Sequence, residues 1–270
     1  MYKKVKELFD LSGKIAVITG GLGHLGFSMT ETLLELNANV VITVTEEESK
    51  NKKTLLKLSS LKKDYPNKKI LIKSIDFFNK NSLKDFFKEV EKEFKTIDVL
   101  INNAYYGIHK PIEEMTFEEF DKSVEGTFSS VFKCSSLAMP LMKKNKKGVI
   151  INIASMYGVV SPDWRIYEGT KSNNAVSYGP SKAAIIQLTK YLASYWAKYG
   201  IRVNSISPGP FPREEVVKDK IFYKNLKEKT MLNRTGTPED LKGIVALLAG
   251  DASGYITGQN FIIDGGWTSW

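Results

Sequence analysis

Short apolar runs alternate with amphipathic segments along the whole chain. Apolar runs of about five residues, bounded by polar or glycine-rich stretches, are typical of strands that are buried on both faces of a parallel sheet. Strands that alternate with helices favour an α/β fold with a parallel sheet and helices on both faces. The pattern predicts seven strands, at residues 14–19, 39–44, 70–75, 97–101, 149–154, 201–206 and 261–264.

The amphipathic segments between these strands predict helices. Two helices are expected within 117–146, with Pro140 near a bend or a helix start, because proline disrupts a helix interior. No internal repeat or long linker divides the chain, so residues 1–270 are predicted to form a single domain. The other predicted helices span residues 27–36, 48–63, 82–94 and 178–199, with a last helix that begins at Pro238.

A glycine cluster, Gly20 to Gly26, follows the first predicted strand and precedes a helix. Glycines let the backbone approach a pyrophosphate closely, and a helix N-terminus offers unpaired N–H groups to it. A glycine cluster by itself is also compatible with a simple turn. In the order strand, glycine-rich turn, helix, the cluster predicts binding of a dinucleotide.

Polar residues follow three of the other predicted strands. In many dinucleotide folds an acidic residue ends the second strand and binds the adenosine ribose. Here Thr45 and Glu46 occupy that region, so either Glu46 binds the ribose of NAD, or Thr45 with Lys50 or Lys52 binds the extra phosphate of NADP. Asp76 would bind an adenine amine or serve as a turn residue. Residues 102–104 lie where open α/β sheets bind ligands.

Ser155, Tyr178 and Lys182 are the candidate catalytic residues. Tyr178 and Lys182 are four residues apart, so in a helix that begins near Tyr178 they share one face. A free phenol has a pKa of about 10, and a neighbouring ammonium lowers it toward the working range of a general acid/base. Ser155, at the end of the fifth strand, would hydrogen-bond the same substrate oxygen. A chance pairing on a helix face is the alternative.

Composition restricts the partners and the compartment. The net charge is +9, but the lysines are scattered and no recognition motif is present, so no nucleic-acid partner is expected. No apolar run approaches the roughly 20 residues that span a bilayer, and no signal core follows the N-terminus. With one cysteine and two histidines, neither a disulfide nor a metal site is expected. We therefore expect a cytoplasmic protein with no membrane partner.

Together these motifs resemble the short-chain dehydrogenase/reductase family of the single-domain type, from Leu11 to Gly266. No single motif is specific, but their order and spacing are. The matching pieces are Thr19-Gly20 to Gly26, Asp76, Asn102-Asn103-Ala104, Ser155 with Gly158, Tyr178 with Lys182, Arg202-Val203-Asn204, Pro208-Gly209, residues 234–240, and Thr257-Gly258-Gln259 with Asp264-Gly265-Gly266.

The resemblance implies a Rossmann-type, doubly wound, seven-stranded parallel sheet and a homotetramer or homodimer. It implies a nicotinamide cofactor, with Tyr178 as proton donor or acceptor, Lys182 on the nicotinamide ribose and Ser155 orienting the reacting oxygen. The end of the second strand resembles that of NADP-using carrier-protein reductases, so NADP is preferred over NAD. The implied cofactor-binding residues are Gly20, Leu22, His24, Leu25, Thr45, Asp76, Phe77, Asn103, Ala104, Tyr178, Lys182, Pro208 and Gly209.

Four features depart from the family pattern. His24 replaces the usual second glycine of the turn, and Tyr105 replaces the glycine after Asn-Asn-Ala. Thr127 aligns with the fourth catalytic residue of the family, an asparagine that supports a proton-relay water; in this role the threonine hydroxyl would bind that water. The interval from Ser155 to Tyr178 is also longer than is usual for the family.

That longer interval contains a segment of residues 159–175, here called the insert. It carries Trp164, Arg165 and Tyr167, which suit stacking on and hydrogen bonding to a polar ring or an anion. We expect the insert to shape a pocket for a sugar or sugar derivative; the alternative is packing against a neighbouring subunit. A second segment, residues 211–233, here called the lid segment, is expected to cover the substrate unless it is an ordinary charged surface helix.

The predicted function is interconversion of a carbonyl and a secondary alcohol of a small molecule by an NAD(P)-dependent oxidoreductase. The long insert resembles that of oxidoreductases from bacterial surface-sugar and flagellin-modification pathways. The alternative is a non-catalytic relative of the same fold that binds a nucleotide as a sensor or scaffold. The presence of Ser155, Tyr178 and Lys182 favours the enzyme.

Overall fold

Seven parallel strands form one sheet in the order β3-β2-β1-β4-β5-β6-β7. The computed structural model describes residues 2–170 and 172–270; Met1, and Lys171 of the insert, lie outside the described residues. The predicted fold class is confirmed, and each strand end lies within two residues of its predicted position. The strands are β1 Ile15–Thr19, β2 Asn39–Val44, β3 Ile70–Ser74, β4 Val99–Asn102, β5 Gly148–Ile153, β6 Ile201–Pro208 and β7 Asn260–Ile263.

The helices cover both faces of this sheet. A five-residue helix at Val5–Phe9, which the sequence pattern did not predict, precedes β1. The α-helices are α1 Val5–Phe9, α2 His24–Glu35, α3 Glu46–Lys50, α4 Lys52–Asp64, α5 Lys80–Phe94, α6 Phe117–Val124, α7 Ser130–Lys144, α8 Tyr178–Trp196, α9 Glu214–Lys218, α10 Lys220–Glu228 and α11 Lys242–Ala249.

Two helical predictions need correction. The helix expected at 48–63 is divided at Asn51, whose side chain accepts a hydrogen bond from the Lys53 N–H and so starts α4 anew. Between α6 and α7 the chain continues through a π-helical turn at Glu125–Ser129. Pro140 lies inside α7 and not at the junction, so the proline does not mark the boundary between the two helices.

The core has one layer on each face of the sheet, because successive strand residues point to opposite faces. On one face Ile18 packs with residues of α2, α4 and α11, and on the other face Val17 packs with residues of α5, α7 and α8. Both side chains are fully buried. The sheet is therefore a rigid platform for the residues at its edge.

The order of the strands reverses at β1, which has β2 on one side and β4 on the other. After β1 the chain continues to β2 on one side of the sheet, and after β4 it continues to β5 on the other side. The connections therefore separate between β1 and β4, and a crevice opens at the carboxyl ends of these two strands. None of the helices within the described residues is long and apolar enough to cross a membrane.

A separate small cluster joins the insert to the lid segment. Ile166 of the insert packs with Phe222 and Leu226 of α10 and with Trp267 near the C-terminus. The Asn225 side chain donates a hydrogen bond to the Ile166 carbonyl at 2.9 Å. The two segments that were predicted to flank the substrate thus pack against each other, away from the main core.

Candidate active site

A cavity of about 830 Å³ lies in the crevice at the carboxyl ends of the strands. This volume is in the range of ligand pockets, which run from about 300 to 1,000 Å³. Most of the residues that were predicted to bind cofactor or substrate line it. These are Gly20, His24, Leu25, Thr45, Asp76, Phe77, Asn103, Ala104, Ser155, Tyr167, Tyr178, Lys182, Pro208 and Gly209.

The glycine-rich turn forms one end of the cavity. Gly20 has a φ of 63°, a left-handed conformation that glycine adopts without steric cost. The Asn103 side chain donates hydrogen bonds to the carbonyls of Thr19 at 2.9 Å and of Gly20 at 3.1 Å, which joins the turn to the end of β4. Helix α2 begins at His24, so its first N–H groups have no partner within the helix. This backbone arrangement fits a pyrophosphate.

Gly26 allows helix α2 to pack closely on the turn. A Cβ at this position would lie 2.1 Å from the Gly20 carbonyl oxygen, which is backbone and cannot move aside cheaply. We expect Gly26→Ala to reduce the free energy of unfolding by about 1–3 kcal/mol, as overpacking does, and to weaken cofactor binding. Gly243→Ala on α11 is the control, because nothing lies within 4 Å of its Cβ. Urea unfolding measures both; equal stability of the two variants would contradict the prediction.

The end of β2 presents carboxylates to the cavity. The Thr45 hydroxyl accepts a hydrogen bond from the Glu48 N–H at 3.1 Å, and the Glu48 carboxylate accepts one from the Thr45 N–H at 2.9 Å. Lys50 is paired with Glu46 at 2.7 Å, and neither Lys50 nor Lys52 lines the cavity. The arrangement of Thr45 with Lys50 or Lys52 that was expected for an NADP phosphate is therefore not formed.

Leu22 does not line the cavity, contrary to the prediction, because its side chain is buried in the core. Its backbone carbonyl accepts a hydrogen bond from the Lys57 ammonium at 2.8 Å. Burial lowers the pKa of Lys57. This cation beside the glycine-rich turn was missed from the sequence, where Lys57 is one of many lysines on α4.

Asp76 serves as a turn residue and lines the cavity as well. Its Oδ1 accepts a hydrogen bond from the Phe78 N–H at 2.9 Å. The turn role that the sequence left open is thus observed, and contact with an adenine amine stays a prediction. Phe77, the next residue, also lines the cavity.

Ser155, Tyr178 and Lys182 meet at the other end of the cavity. Ser155 follows β5, and its hydroxyl accepts a hydrogen bond from the Tyr157 N–H at 3.1 Å. Tyr178 is the first residue of α8 and Lys182 is one turn further along. The Lys182 Nζ donates to the Ile153 carbonyl at 2.8 Å and lies 5.6 Å from the centre of the Tyr178 ring.

Burial dominates the electrostatics of this group. It raises the pKa of Tyr178, and a hydrogen bond with Ser155 opposes that effect. Burial also lowers the pKa of Lys182 to about 7. The lowered pKa of Tyr178 that was expected from Lys182 is therefore not found. With a pKa of about 7 the Lys182 amine is only partly charged near neutral pH, and it supports a phenolate at Tyr178 only in its charged form.

Thr127 lies outside the cavity wall. It is buried within the π-helical turn, and its hydroxyl donates a hydrogen bond to the Tyr106 carbonyl at 2.6 Å. The structure thus gives this hydroxyl a structural partner, and its catalytic role stays a prediction.

Of the three insert residues that were predicted to contact substrate, Tyr167 alone lines the cavity. Its hydroxyl lies 3.1 Å from that of Tyr157, and its ring lies 5.0 Å from that of Phe222. The side chains of Trp164 and Arg165 lie outside the cavity wall. Arg165 is paired with Asp163, whose carboxylate also binds Lys229, and the Arg165 side chain is 80% exposed. The structure therefore does not bring Trp164 and Arg165 to the cavity wall, and their contact with a substrate stays a prediction.

His24 connects the glycine-rich turn to the lid segment. Its Nε2 lies 3.2 Å from the Phe211 carbonyl oxygen. Burial, with the positive charge of Arg213, lowers the pKa of His24. His24 is thus accommodated as a packing and hydrogen-bonding residue in the wall of the cavity. Throughout the described ranges, no group of three or more histidine, cysteine or acidic side chains is placed to hold a metal ion.

The sheet, the glycine-rich turn and the Ser155–Tyr178–Lys182 group define a dinucleotide-dependent carbonyl/alcohol oxidoreductase. A sequence profile of the family described as enoyl-(acyl carrier protein) reductase matches residues 23–268. The chain belongs to the short-chain dehydrogenase/reductase family, and it is an NAD(P)-dependent enzyme.

Three similar proteins illustrate the relationship. A sorbose reductase of Candida albicans is 31% identical, over 98% of this chain and 90% of its own length. An NAD-dependent glycerol dehydrogenase of Listeria innocua is 30% identical, over 99% of this chain and 98% of its own. A gluconate 5-dehydrogenase from Burkholderia cenocepacia, in complex with NADP and tartrate, has a TM-score of 0.86 at 27% identity and covers 99% of this chain and 100% of that one.

Proposed function

We propose that this protein reduces a ketone group of a sugar, polyol or related small molecule, or oxidises the corresponding secondary alcohol. The observation that carries the proposal is the meeting of Ser155, Tyr178 and Lys182 at one end of a cavity whose other end fits a pyrophosphate. The bound nicotinamide supplies or accepts the hydride. Every other task falls to the protein's own side chains.

The three side chains have distinct tasks in this proposal. Tyr178 gives a proton to the substrate oxygen during reduction and takes it back during oxidation. Ser155 hydrogen-bonds the same oxygen and holds it beside the phenol. Lys182 binds the ribose hydroxyls near the nicotinamide and, when charged, stabilises the Tyr178 phenolate. The raised pKa of Tyr178 keeps the phenol protonated near neutral pH, which suits the direction of reduction.

The substrate end of the cavity supports a hydroxylated substrate. Tyr157, Tyr167, His109 and Asn174 line it with hydroxyl, imidazole and amide groups. Such neutral groups bond to hydroxyls without demanding a charge, and the rings pack on the apolar face of a sugar carbon chain. The names of the relatives, which include sorbose, glycerol and gluconate, are consistent with this class.

We further propose a preference for NADH, in place of the NADP preferred from the sequence. Glu46 and Glu48 line the adenosine end, and their carboxylates repel an extra phosphate there. Fluorescence titration should show NADH binding about tenfold more tightly than NADPH, which corresponds to about 1.4 kcal/mol. Tighter NADPH binding would contradict this and would assign the phosphate to Lys57, in which case Lys57→Met should remove the preference.

Turnover distinguishes the enzyme from a nucleotide-binding scaffold. The purified protein is titrated with NADH and NADPH and is then assayed for cofactor oxidation with ketoses and hydroxyketones and for cofactor reduction with polyols. Binding with turnover of at least one substrate supports the proposal. Binding without any turnover across the panel would favour the sensor or scaffold.

We also propose that the protein is a homotetramer or homodimer. Tyr191 and Tyr195 on α8 are exposed, and their rings are stacked with centres 6.0 Å apart; Phe132 on α7 is exposed as well. Exposed apolar side chains that lie together mark protein–protein contacts. Light scattering of the full chain measures the assembly, and a monomer at micromolar concentration would contradict the proposal.

A further inference from the structure

Tyr105 lies directly beside the catalytic group. It follows the end of β4, and its ring packs edge-to-face on Tyr178, with ring centres 5.2 Å apart and an angle of 87° between the planes. The Lys182 Nζ is 5.7 Å from the centre of the Tyr105 ring. Tyr105 and Tyr178 line the same cavity, so a substrate bound at Tyr178 lies next to Tyr105.

A hydrogen bond to His109 fixes the Tyr105 hydroxyl. The Oη of Tyr105 is 3.1 Å from the Nε2 of His109. Burial lowers the pKa of His109, which favours the neutral imidazole. The Nε2 of a neutral imidazole either accepts from the Tyr105 O–H or donates to its oxygen, according to the tautomer.

Either tautomer leaves the Tyr105 hydroxyl able to make a second hydrogen bond. When its O–H donates to His109, the oxygen keeps lone pairs for a substrate hydroxyl, and when it accepts from His109, the O–H is free to donate. Tyr105 is therefore a hydrogen-bonding group beside the reacting centre.

Gly107 provides the space for this arrangement. A Cβ at residue 107 would lie 2.0 Å from the Tyr105 Oη and 2.6 Å from its Cζ. Any larger residue would push the phenol away from His109. The position of the Tyr105 hydroxyl thus depends on two other residues of the same loop, Gly107 and His109.

We propose that Tyr105 is a specificity-determining residue that forms a hydrogen bond with a hydroxyl on the carbon next to the reacting carbon. The substrates it favours are α-hydroxyketones and the corresponding vicinal diols. This inference rests on the proposed function and makes it narrower. A ketone without the neighbouring hydroxyl leaves the Tyr105 oxygen without its partner, which is how a polar site rejects such an analogue.

The test compares two ketones that differ by one hydroxyl, 3-hydroxybutan-2-one and 2-butanone, with NADH or NADPH as the titration directs. The wild type should prefer the hydroxyketone in kcat/KM. Tyr105→Phe keeps the ring and removes the hydroxyl, so this preference should fall by about three- to tenfold, the effect of one neutral hydrogen bond. Gly107→Ala keeps the hydroxyl but displaces it, and should cause a similar fall.

Tyr255→Phe is the matched control, because Tyr255 is fully exposed, and it should leave the ratio between the two ketones unchanged. Binding of the reduced cofactor by each variant, followed by fluorescence, shows that the fold is intact. A ratio that is unchanged in Tyr105→Phe overturns the inference. An equal loss for both ketones also overturns it, because a packing role does not distinguish them.

The same experiment separates this inference from the proposed function. A wild type that reduces 2-butanone as well as the hydroxyketone overturns the inference and leaves the oxidoreductase in place. A wild type that binds the cofactor but turns over no substrate of the panel overturns the proposed function and the inference with it.

Discussion

Replacing Tyr178 with phenylalanine should lower kcat by about 10³-fold, within the range of about 10²–10⁴ that general acid–base catalysis contributes. The phenyl ring keeps its edge-to-face contact with Tyr105 but has no proton to exchange with the substrate oxygen. Because Tyr178 is not part of the glycine-rich turn, the affinity for the reduced cofactor should change little. Steady-state kinetics and fluorescence titration measure the two quantities separately.

Tyr157→Phe tests the specificity of this effect, since it also removes a phenolic hydroxyl from the cavity wall. Tyr157 bonds to Tyr167 and not to the reacting oxygen, so its loss should raise KM far more than it lowers kcat. Comparable kcat values for Tyr178→Phe and the wild type would remove Tyr178 from the mechanism and, with it, the proposed function.

Lys182→Met should have the second-largest effect, a loss of about 10²-fold in kcat/KM, at the lower end of what a group that tunes an acid/base catalyst contributes. The ammonium supports the phenolate of Tyr178 and binds the ribose in the proposed function, so cofactor affinity should fall as well. Lys190→Met, on the exposed side of the same helix, is the control. Activity in Lys182→Met close to that of the wild type would contradict the role of Lys182.

The same variant should be more stable than the wild type. The pKa of Lys182 is about 7 in the folded protein and 10.5 for an unperturbed lysine. Between pH 7 and 10.5 the unfolded chain binds more protons than the folded protein, so the stability of the wild type rises with pH in this window. Below pH 7 Lys182 is charged in both states, and the full free-energy cost of burying that charge is present. Methionine at position 182 removes the cost of burying the charge. It also loses the hydrogen bond to the Ile153 carbonyl, which offsets the gain in stability by about 1 kcal/mol.

Thermal unfolding at several pH values measures this effect. The Tm of Lys182→Met should exceed that of the wild type by about 2–4 °C for each kcal/mol gained. The difference should be largest at or below pH 7 and should shrink as the pH rises toward 10. A difference that does not depend on pH would indicate that packing, and not the buried charge, is responsible.

The sheet could be predicted from the sequence because its five central strands are buried on both faces, which leaves apolar runs such as 149–154. The helix boundaries were less accessible, since they depend on competition between local hydrogen bonds. At Asn51 helix α3 ends and helix α4 begins, and the start of α4 depends on one side-chain oxygen that accepts a hydrogen bond from the Lys53 N–H. The π-helical turn before α7 has a similar local origin, and Pro140 gave the wrong position for that junction.

The meeting of Ser155, Tyr178 and Lys182 in one cavity could be predicted because the proposed catalytic residues lie in short local patterns, as with Tyr178 and Lys182 on one helical turn. The contacts of the insert could not be predicted, because the type of a residue does not say where its side chain points. Trp164 and Arg165 are residue types that suit a pocket, but Asp163 binds the Arg165 guanidinium and holds it outside the cavity. Lys57 was missed because its contact with the Leu22 carbonyl joins residues that are distant in sequence. His109 was missed because it pairs with Tyr105 within one irregular loop, where residue spacing does not give side-chain direction.

The small cluster of Ile166, Phe222, Leu226 and Trp267 joins the insert and the lid segment, and this affects both the opening of the substrate site and the evolution of new substrate preferences. Because the insert and the lid segment share this miniature core, outside the main one, they should open as a single cooperative unit with a free energy below that of global unfolding. Amide hydrogens in both segments should then exchange at matching rates. For the same reason, a new substrate preference cannot be transplanted with either segment alone; both must be exchanged together with Trp267.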